Sequence, residues 1–463
     1  MRIAFLYCLL IYTCLSCRKI IDIGEPSDKM APEEVYSSDS GAIAVMAGIY
    51  SIINSSELSA GGKGIAVFCA LYADELSLME GNQEYQRCYE NTLSADDSPF
   101  WSPLYRCIQH CNMLLNGLEG SNRITPAVKQ QLTGEAKCIR AFCYFYLVNF
   151  FGDVPLLTTT DLHKNTTAGR SSTESVYDQI ADDLQDAISL LREEYLGGDA
   201  QTMVNERLRP NKWAAVTLLA RVHLYRKNWA AAEQEASNII ARNRLYAIPA
   251  LKNAFAQHSP EMIWALENTT TTGVNEDAAL LVLQNGPDRE MHPLFMNKRL
   301  LQRFEKKDQR LVVWIGTDST NGSTYYYPYK YRLAEDGRSP TPYLAVLRLA
   351  EVFLIRAEAK VYINDFAGAR ADLMKLRQRA GLGYVVANSR TALLKAIEQE
   401  RRVELFTEWG HRWLDLKRYE RADEIMYTEA NTKGTTWMTY KQFFPIPYGD
   451  MVLNPALKQN EGY

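Results

Sequence analysis

Residues 218–240 read LLARVHLYRKNWAAAEQEASNII, and residues 355–377 read IRAEAKVYINDFAGARADLMKLR. At a constant offset of 137 positions, Ala220 matches Ala357, Tyr225 matches Tyr362, Trp229 matches Phe366 and Ala232 matches Ala369. Small residues let two helices approach closely, and an aromatic just after a short turn plugs the gap between them. That is the logic of a tetratricopeptide hairpin, with its A…Y…W/F-x-x-A pattern. The pair therefore predicts a mainly α fold built from helical hairpins.

The prediction extends outward from the two hairpins. Apolar residues recur at three- and four-residue spacing over 101–118, 127–151, 174–191, 212–226, 229–242, 345–363, 366–380 and 393–409, the mark of amphipathic helices. Gly152-Asp153-Val154-Pro155 stops the second of these firmly. Strand-like patches are few, the best being Met262 to Leu266 and Tyr325 to Tyr331.

At the N-terminus, Arg2 precedes an apolar run, AFLYCLLIY (4–12), which is too short to span a bilayer and reads as a signal-peptide core. CLSC (14–17) follows. It resembles a lipobox, in which Ser16 is the small residue before the lipidated cysteine, Cys17; Cys14 stands where the pattern prefers Leu, Val or Ile. The expectation is a signal peptide over 1–16, a lipid-bearing tether over 17–30 and a body over 31–463. Two acyl chains suffice for stable anchoring.

Net charge is −4, which leaves no electrostatic footprint for nucleic acid. Six cysteines lie beyond the leader, at 69, 88, 107, 111, 138 and 143. Cys107 and Cys111 flank His110, but no second ligand pair at zinc-like spacing accompanies them, so buried free thiols are expected. The sequence holds no H-E-x-x-H, G-x-S-x-G, G-x-G-x-x-G or Walker A motif. Cofactors are therefore not expected. Asp96 and Asp97 offer hard oxygen ligands outside any EF-hand pattern, which leaves a structural calcium open.

Several segments together carry a family resemblance. They are YADEL (72–76), WSPLYRCI (101–108) with Asn112, GEAKCIRAFCYFYLVNFFGDVPLL (134–157) and SVYDQIADDLQDAISLL (175–191). Later come LRLAEVFLIRAEA (347–359), AIEQERRVELFTEWGHRWLDLKRY (396–419) and FPIPYGDMVLNPALKQNEGY (444–463). In this order and spacing they resemble the SusD/RagB family of Bacteroidetes outer-membrane lipoproteins. The resemblance implies a tetratricopeptide-like scaffold with an irregular, loop-rich ligand-binding part, its N-terminal part reaching to about 330 and interleaved with a signature part over 331–463. It also implies a surface-exposed binding protein, not an enzyme, that hands a glycan or oligosaccharide to a SusC-like TonB-dependent transporter. A peptide ligand is the alternative within the family. Residues 82–98 and 269–291 carry no family motif.

A sugar offers flat C–H faces and vicinal hydroxyls, so its site wants aromatic platforms and planar polar groups that bond in pairs. Residues 74–101 fit best. The candidates are Asp74, from the family motif itself, with Glu84, Tyr85, Arg87 and Tyr89 in the loop that follows; a buried acceptor is the competing role for Asp74. The cluster YYYPYKY (325–331) ranks second, with Tyr327 and Tyr329, on the expectation that alternation sets Tyr325, Tyr327, Tyr329 and Tyr331 on one strand face. Trp314 and His292 rank lower. One enzyme-like feature competes: Glu400, Glu404 and Glu408 would share a helix face, and paired carboxylates are what glycoside hydrolysis requires. Arg401 and Arg402 lie among them, however, and such charge runs more often form locally neutralised, solvated faces.

Overall fold

The computed structural model describes residues 32–463 apart from 56, 60, 269–274 and 333–341. The signal peptide, Cys17 and the tether lie outside the described residues.

The chain is dominated by helices, here labelled α1 (Asp39–Ile53), α2 (Ile65–Tyr72), α3 (Trp101–Gly120), α4 (Pro126–Phe151), α5 (Thr173–Leu190), α6 (Lys212–Tyr225) and α7 (Trp229–Ile240). In the C-terminal part they are α8 (Leu349–Tyr362), α9 (Phe366–Arg379), α10 (Arg390–Glu404), α11 (His411–Arg418) and α12 (Ala422–Lys433). Pro126 occupies the first turn of α4, where its missing N–H costs nothing. Asn211 caps α6 and Ser389 caps α10, each accepting from a backbone N–H three residues on.

The two hairpins recognised in the sequence, α6–α7 and α8–α9, are neighbours in space although more than a hundred residues separate them. Helix α7 packs on α8, so the four helices form a continuous array that α5 and α4 extend. Trp229 lies flat on Tyr362, with ring centroids 3.8 Å apart and planes 6° from parallel. Arg221 of α6 reaches Glu351 of α8 through two 2.7 Å hydrogen bonds, both side chains being buried. The aromatic plug and this ion pair join one repeat to the next.

Among the described residues six short strands form three antiparallel pairs: β1 (Leu76–Leu78) with β3 (Leu294–Met296), β2 (Met262–Leu266) with β6 (Leu344–Arg348), and β4 (Ile315–Thr320) with β5 (Ser323–Pro328). Two expected helix limits are corrected here. Residues 345–348 are strand, because LAVLR (344–348) is buried on both faces beside β2, and α8 starts only at Leu349. Helix α10 stops at Glu404 rather than 409; the next residues turn back, with Thr407 and Trp409 in left-handed backbone. The six cysteines are buried thiols.

The Arg221–Glu351 pair yields a stability prediction. Glu351→Gln leaves a buried guanidinium without its counter-charge and should cost about 3–5 kcal/mol. Glu174→Gln, in an exposed pair with Arg226, should cost about 0–1 kcal/mol. Urea unfolding of both variants checks this; equal, small losses would contradict the load assigned to the hairpin junction.

Candidate functional site

The signature run at the end of α10 proves to be interior. Glu400 and Glu404 each accept from Arg310, at 2.6 and 2.9 Å. Glu404 also accepts from Arg348 at 2.7 Å and from Arg379, while Arg348 spans Glu261, Glu404 and Glu408. Lys330 donates to the carbonyls of Glu404 and Phe406 at 2.8 Å and to the Glu408 carboxylate. Burial pushes the Glu404 carboxyl up, but Arg379, Arg348 and Arg310 outweigh it and hold it well below the usual carboxylate range.

The neighbouring arginines face elsewhere: Arg401 donates to Asp415 and Arg402 to Asp74. The sequence expectation of a solvated, locally neutralised face is therefore corrected. Each charge in this turn is paired with a residue distant in the chain, and all are buried. Glu404 has no exposed surface and no room for a glycosidic bond.

Asp74 belongs to the same interior. It is 1% exposed, and Arg412 donates to both its oxygens at 2.7 and 2.9 Å. Burial alone would raise its pKa, yet Arg412 and Arg402 hold it well below the ordinary value. Asp74 is thus corrected from ligand candidate to buried acceptor, the alternative role open to it. Glu75 behaves oppositely: burial pushes it up to about 7, and the Thr407 N–H, 3.0 Å from one oxygen, offsets this only in part.

From this anchored point β1 leads to the surface. The register Leu76↔Met296, Ser77↔Phe295 and Leu78↔Leu294 sends the loop after β1 and the loop before β3 out at the same end of the ladder. Met79 donates to the Pro293 carbonyl at 2.7 Å and Asn82 to the Arg289 carbonyl at 2.8 Å, tying the two loops together. Gly81 has φ +87°, and the Arg289 side chain lies against it. On the other flank, Gly286 donates to Asp318 of β4 at 3.2 Å, and Phe295 meets Tyr325 of β5 edge to face at 5.3 Å. The two regions chosen from sequence, 74–101 and 325–331, are thereby joined through β3.

Glu84 and Arg87 are exposed on this face, and Tyr85 is half-buried. The Tyr85 hydroxyl sits where a side chain on Gly62 would be, and burial with the nearby Glu84 pushes its pKa up to about 12. Arg87 is paired within the loop to Asp97, which also accepts from Ser94 at 2.8 Å. Tyr89 turns toward the body, with the Lys433 ammonium 5.1 Å from its ring centre. Tyr327 lies across Gly316 and meets Tyr329 edge to face at 5.8 Å, both half-buried, while Tyr326 is 38% exposed.

The expectation of four tyrosines on one strand face is corrected. β5 ends at Pro328, and Tyr331 buries instead against Phe255, 5.3 Å away. Trp314 is also interior, donating to the Leu251 carbonyl at 3.0 Å. His292 is half-buried, with Nδ1 3.1 Å from the Leu280 carbonyl. Sequence reasoning missed Phe295, Arg289 and the exposed Met291. The turn that displays the last two is built by Asp288, whose carboxylate accepts the N–H groups of Glu290, Met291 and His292. Gly286-Pro287-Asp288 was its one local signal. Among the described residues no group of three or more His, Cys, Asp or Glu side chains converges as metal ligands.

Glu75 supports a pH prediction. A carboxyl with pKa about 7 when folded, against an ordinary value near 4.5, favours the fold below pH 4.5 and loses that contribution as pH rises through 7. Unfolding free energies at pH 5 and pH 8 should therefore show Glu75→Gln gaining on the wild type at the higher pH, by an amount on the order of 2–3 kcal/mol. A difference that does not change with pH would contradict the assignment.

Comparison with known proteins agrees with this architecture. The family described as "SusD family" matches residues 315–463, and the one described as "Starch-binding associating with outer membrane" matches 35–224. A SusD-like protein of Formosa agariphila is 26% identical, over 99% of this chain and 98% of its own length. A SusD superfamily protein of Bacteroides vulgatus superposes with a TM-score of 0.78 at 19% identity, covering 92% of this chain and 99% of that one. A laminarin-binding SusD-like protein superposes with a TM-score of 0.75 at 22% identity, covering 92% and 99%. With two SusD models matched at its two ends and relatives aligned along its length, the chain belongs to the SusD/RagB family of SusD-like proteins.

Proposed function

We propose that this protein captures a glycan or oligosaccharide on the face formed by the loops around residues 80–92 and 285–292 and the β4–β5 hairpin, and passes it on without cleaving it. The observation that carries the reading is the joining of these segments through β3 on a base held by buried ion pairs. Tyr85, Tyr325 and Tyr327 supply ring faces, and Glu84, Arg87 and Arg289 supply planar groups for vicinal hydroxyls. Membership in a family described as starch-binding supports a carbohydrate ligand, and the laminarin-binding neighbour suggests a β-glucan as a first probe. Glu400 and Glu404 of α10 are both committed to internal arginines, which favours binding over hydrolysis.

Affinity electrophoresis through gels loaded with laminarin, starch and a wider polysaccharide panel should show retardation on at least one. Tyr85→Ala combined with Tyr327→Ala should abolish it, and no new reducing ends should appear. Normal migration on every gel would contradict the reading.

In the proposed setting Cys17 carries the lipid anchor, the body stands at the outer-membrane surface, and a SusC-like TonB-dependent transporter receives the ligand. Cys17→Ala should move the protein from the membrane to the soluble fraction. Mild detergent extraction of the wild type should co-purify a large barrel protein; extraction as a lone chain would contradict the partnership.

A further inference from the structure

A second concavity, separate from the loop face, opens between the end of α8, helix α10, helix α11 and the start of α12. Its volume is about 600 Å³. Arg303, Arg390, Lys395, Arg402, Arg412 and Arg421 line it, against only two carboxylates, Glu398 and Glu424. This excess of four positive charges stands in a chain whose net charge is −4.

The two carboxylates are already engaged. Arg421 donates to both Glu424 oxygens at 3.0 Å and to Glu398 at 2.5 Å, and the Arg412 guanidinium lies 3.7 Å from Glu398. Arg303 and Lys395 are exposed and take part in no ion pair among the described residues. Arg390 bonds only the Asn364 amide, at 2.8 Å. Deeper in the groove, Arg402 is 8% exposed, and its Nε is buried without a hydrogen-bond partner. Burial, reinforced by Arg412 and Arg303, pushes the Arg402 guanidinium down to about 10, although Asp74 works the other way. A buried guanidinium N–H left unmatched beside unpaired cations calls for an oxyanion.

We propose that this groove is a second ligand site, taking the sulfate or carboxylate groups of an anionic saccharide. Arg402 and Arg412 form its floor, held by Asp74 from beneath, while Arg303, Lys395 and Arg390 form its rim. The Gln399 amide, donating to the Arg303 carbonyl at 2.7 Å, fixes the rim to α10. The oxyanion follows from the groove itself; the saccharide carrier rests on the proposed glycan-binding function.

Calorimetric titration of the intact protein with dextran sulfate and with neutral dextran at low ionic strength tests both parts. Dextran sulfate should bind, and inorganic sulfate should compete. Affinity should fall about tenfold or more in the exposed rim variant Arg303→Gln/Lys395→Gln, as expected for losing charge-assisted contacts. It should stay within twofold in Arg123→Gln/Arg244→Gln, which removes the same charge elsewhere. Absence of dextran sulfate binding, or equal losses in the two variants, would overturn the site. Preferential binding to anionic phospholipid vesicles in place of dextran sulfate, lost in the rim variant, would overturn the saccharide assignment. A failure of the neutral-glycan gels would leave the sulfate competition intact, so the two readings fail separately.

Discussion

The last turn of α10 is the constraint on which the rest depends. Glu400, Arg401, Arg402 and Glu404 are consecutive or nearly so, yet between them they reach partners in five separate parts of the chain. Glu404 gathers Arg310, Arg348 and Arg379; Arg401 takes Asp415; Arg402 takes Asp74. Taking these ions out of water costs several kcal/mol apiece, and the cost is recovered only where geometry and hydrogen bonding are complete. The network therefore works less as a source of stability than as a specification: one arrangement of six segments gives every charge of this turn an opposite partner.

That specification reaches the surface through two routes. Asp74, fixed by Arg402 and Arg412, sets the start of β1, and β1 sets the register of β3 and the two loops beyond it. Lys330, held by Glu408 and by carbonyls at the end of α10 and just beyond it, fixes the irregular segment that leaves the β4–β5 hairpin. Phe295 and Tyr325 then meet where the two routes converge. The loops carry ring faces and polar groups on a base that cannot shift independently, which is the usual division between recognition loops and scaffold. The basic groove is the outer side of the same arrangement, because Arg402 and Arg412, which both hold Asp74, also line its floor.

The helical hairpins were legible in sequence because their periodicity and the Ala–Tyr–Trp/Phe spacing are local. Adjacency of α7 and α8 was not, since a constant offset says that two units are alike and not that they touch. The charge run 400–408 was read as a helix face, and intrahelical spacing is all a sequence offers there; the partners at 74, 310, 348 and 415 come from the fold. Asp74 illustrates the same limit, because a motif acid that binds ligand and one that anchors an arginine look identical in a string. Among the site loops, 80–92 and 325–327 were found by composition. Phe295 sits in a three-residue strand too short to carry a period, and Arg289 is displayed by a turn whose only mark was Gly286-Pro287-Asp288.

The central claim is that loops from three parts of the chain form one binding face on a base fixed by buried charge. Hydrogen exchange of the backbone amides, with and without the retarding polysaccharide, addresses it directly. The account predicts slow exchange in β1, β3 and the last turn of α10 in either state, with ligand-dependent protection confined to residues 79–97, 285–293 and 318–327. Protection that falls elsewhere on the scaffold, or fast exchange at the end of α10, would contradict it.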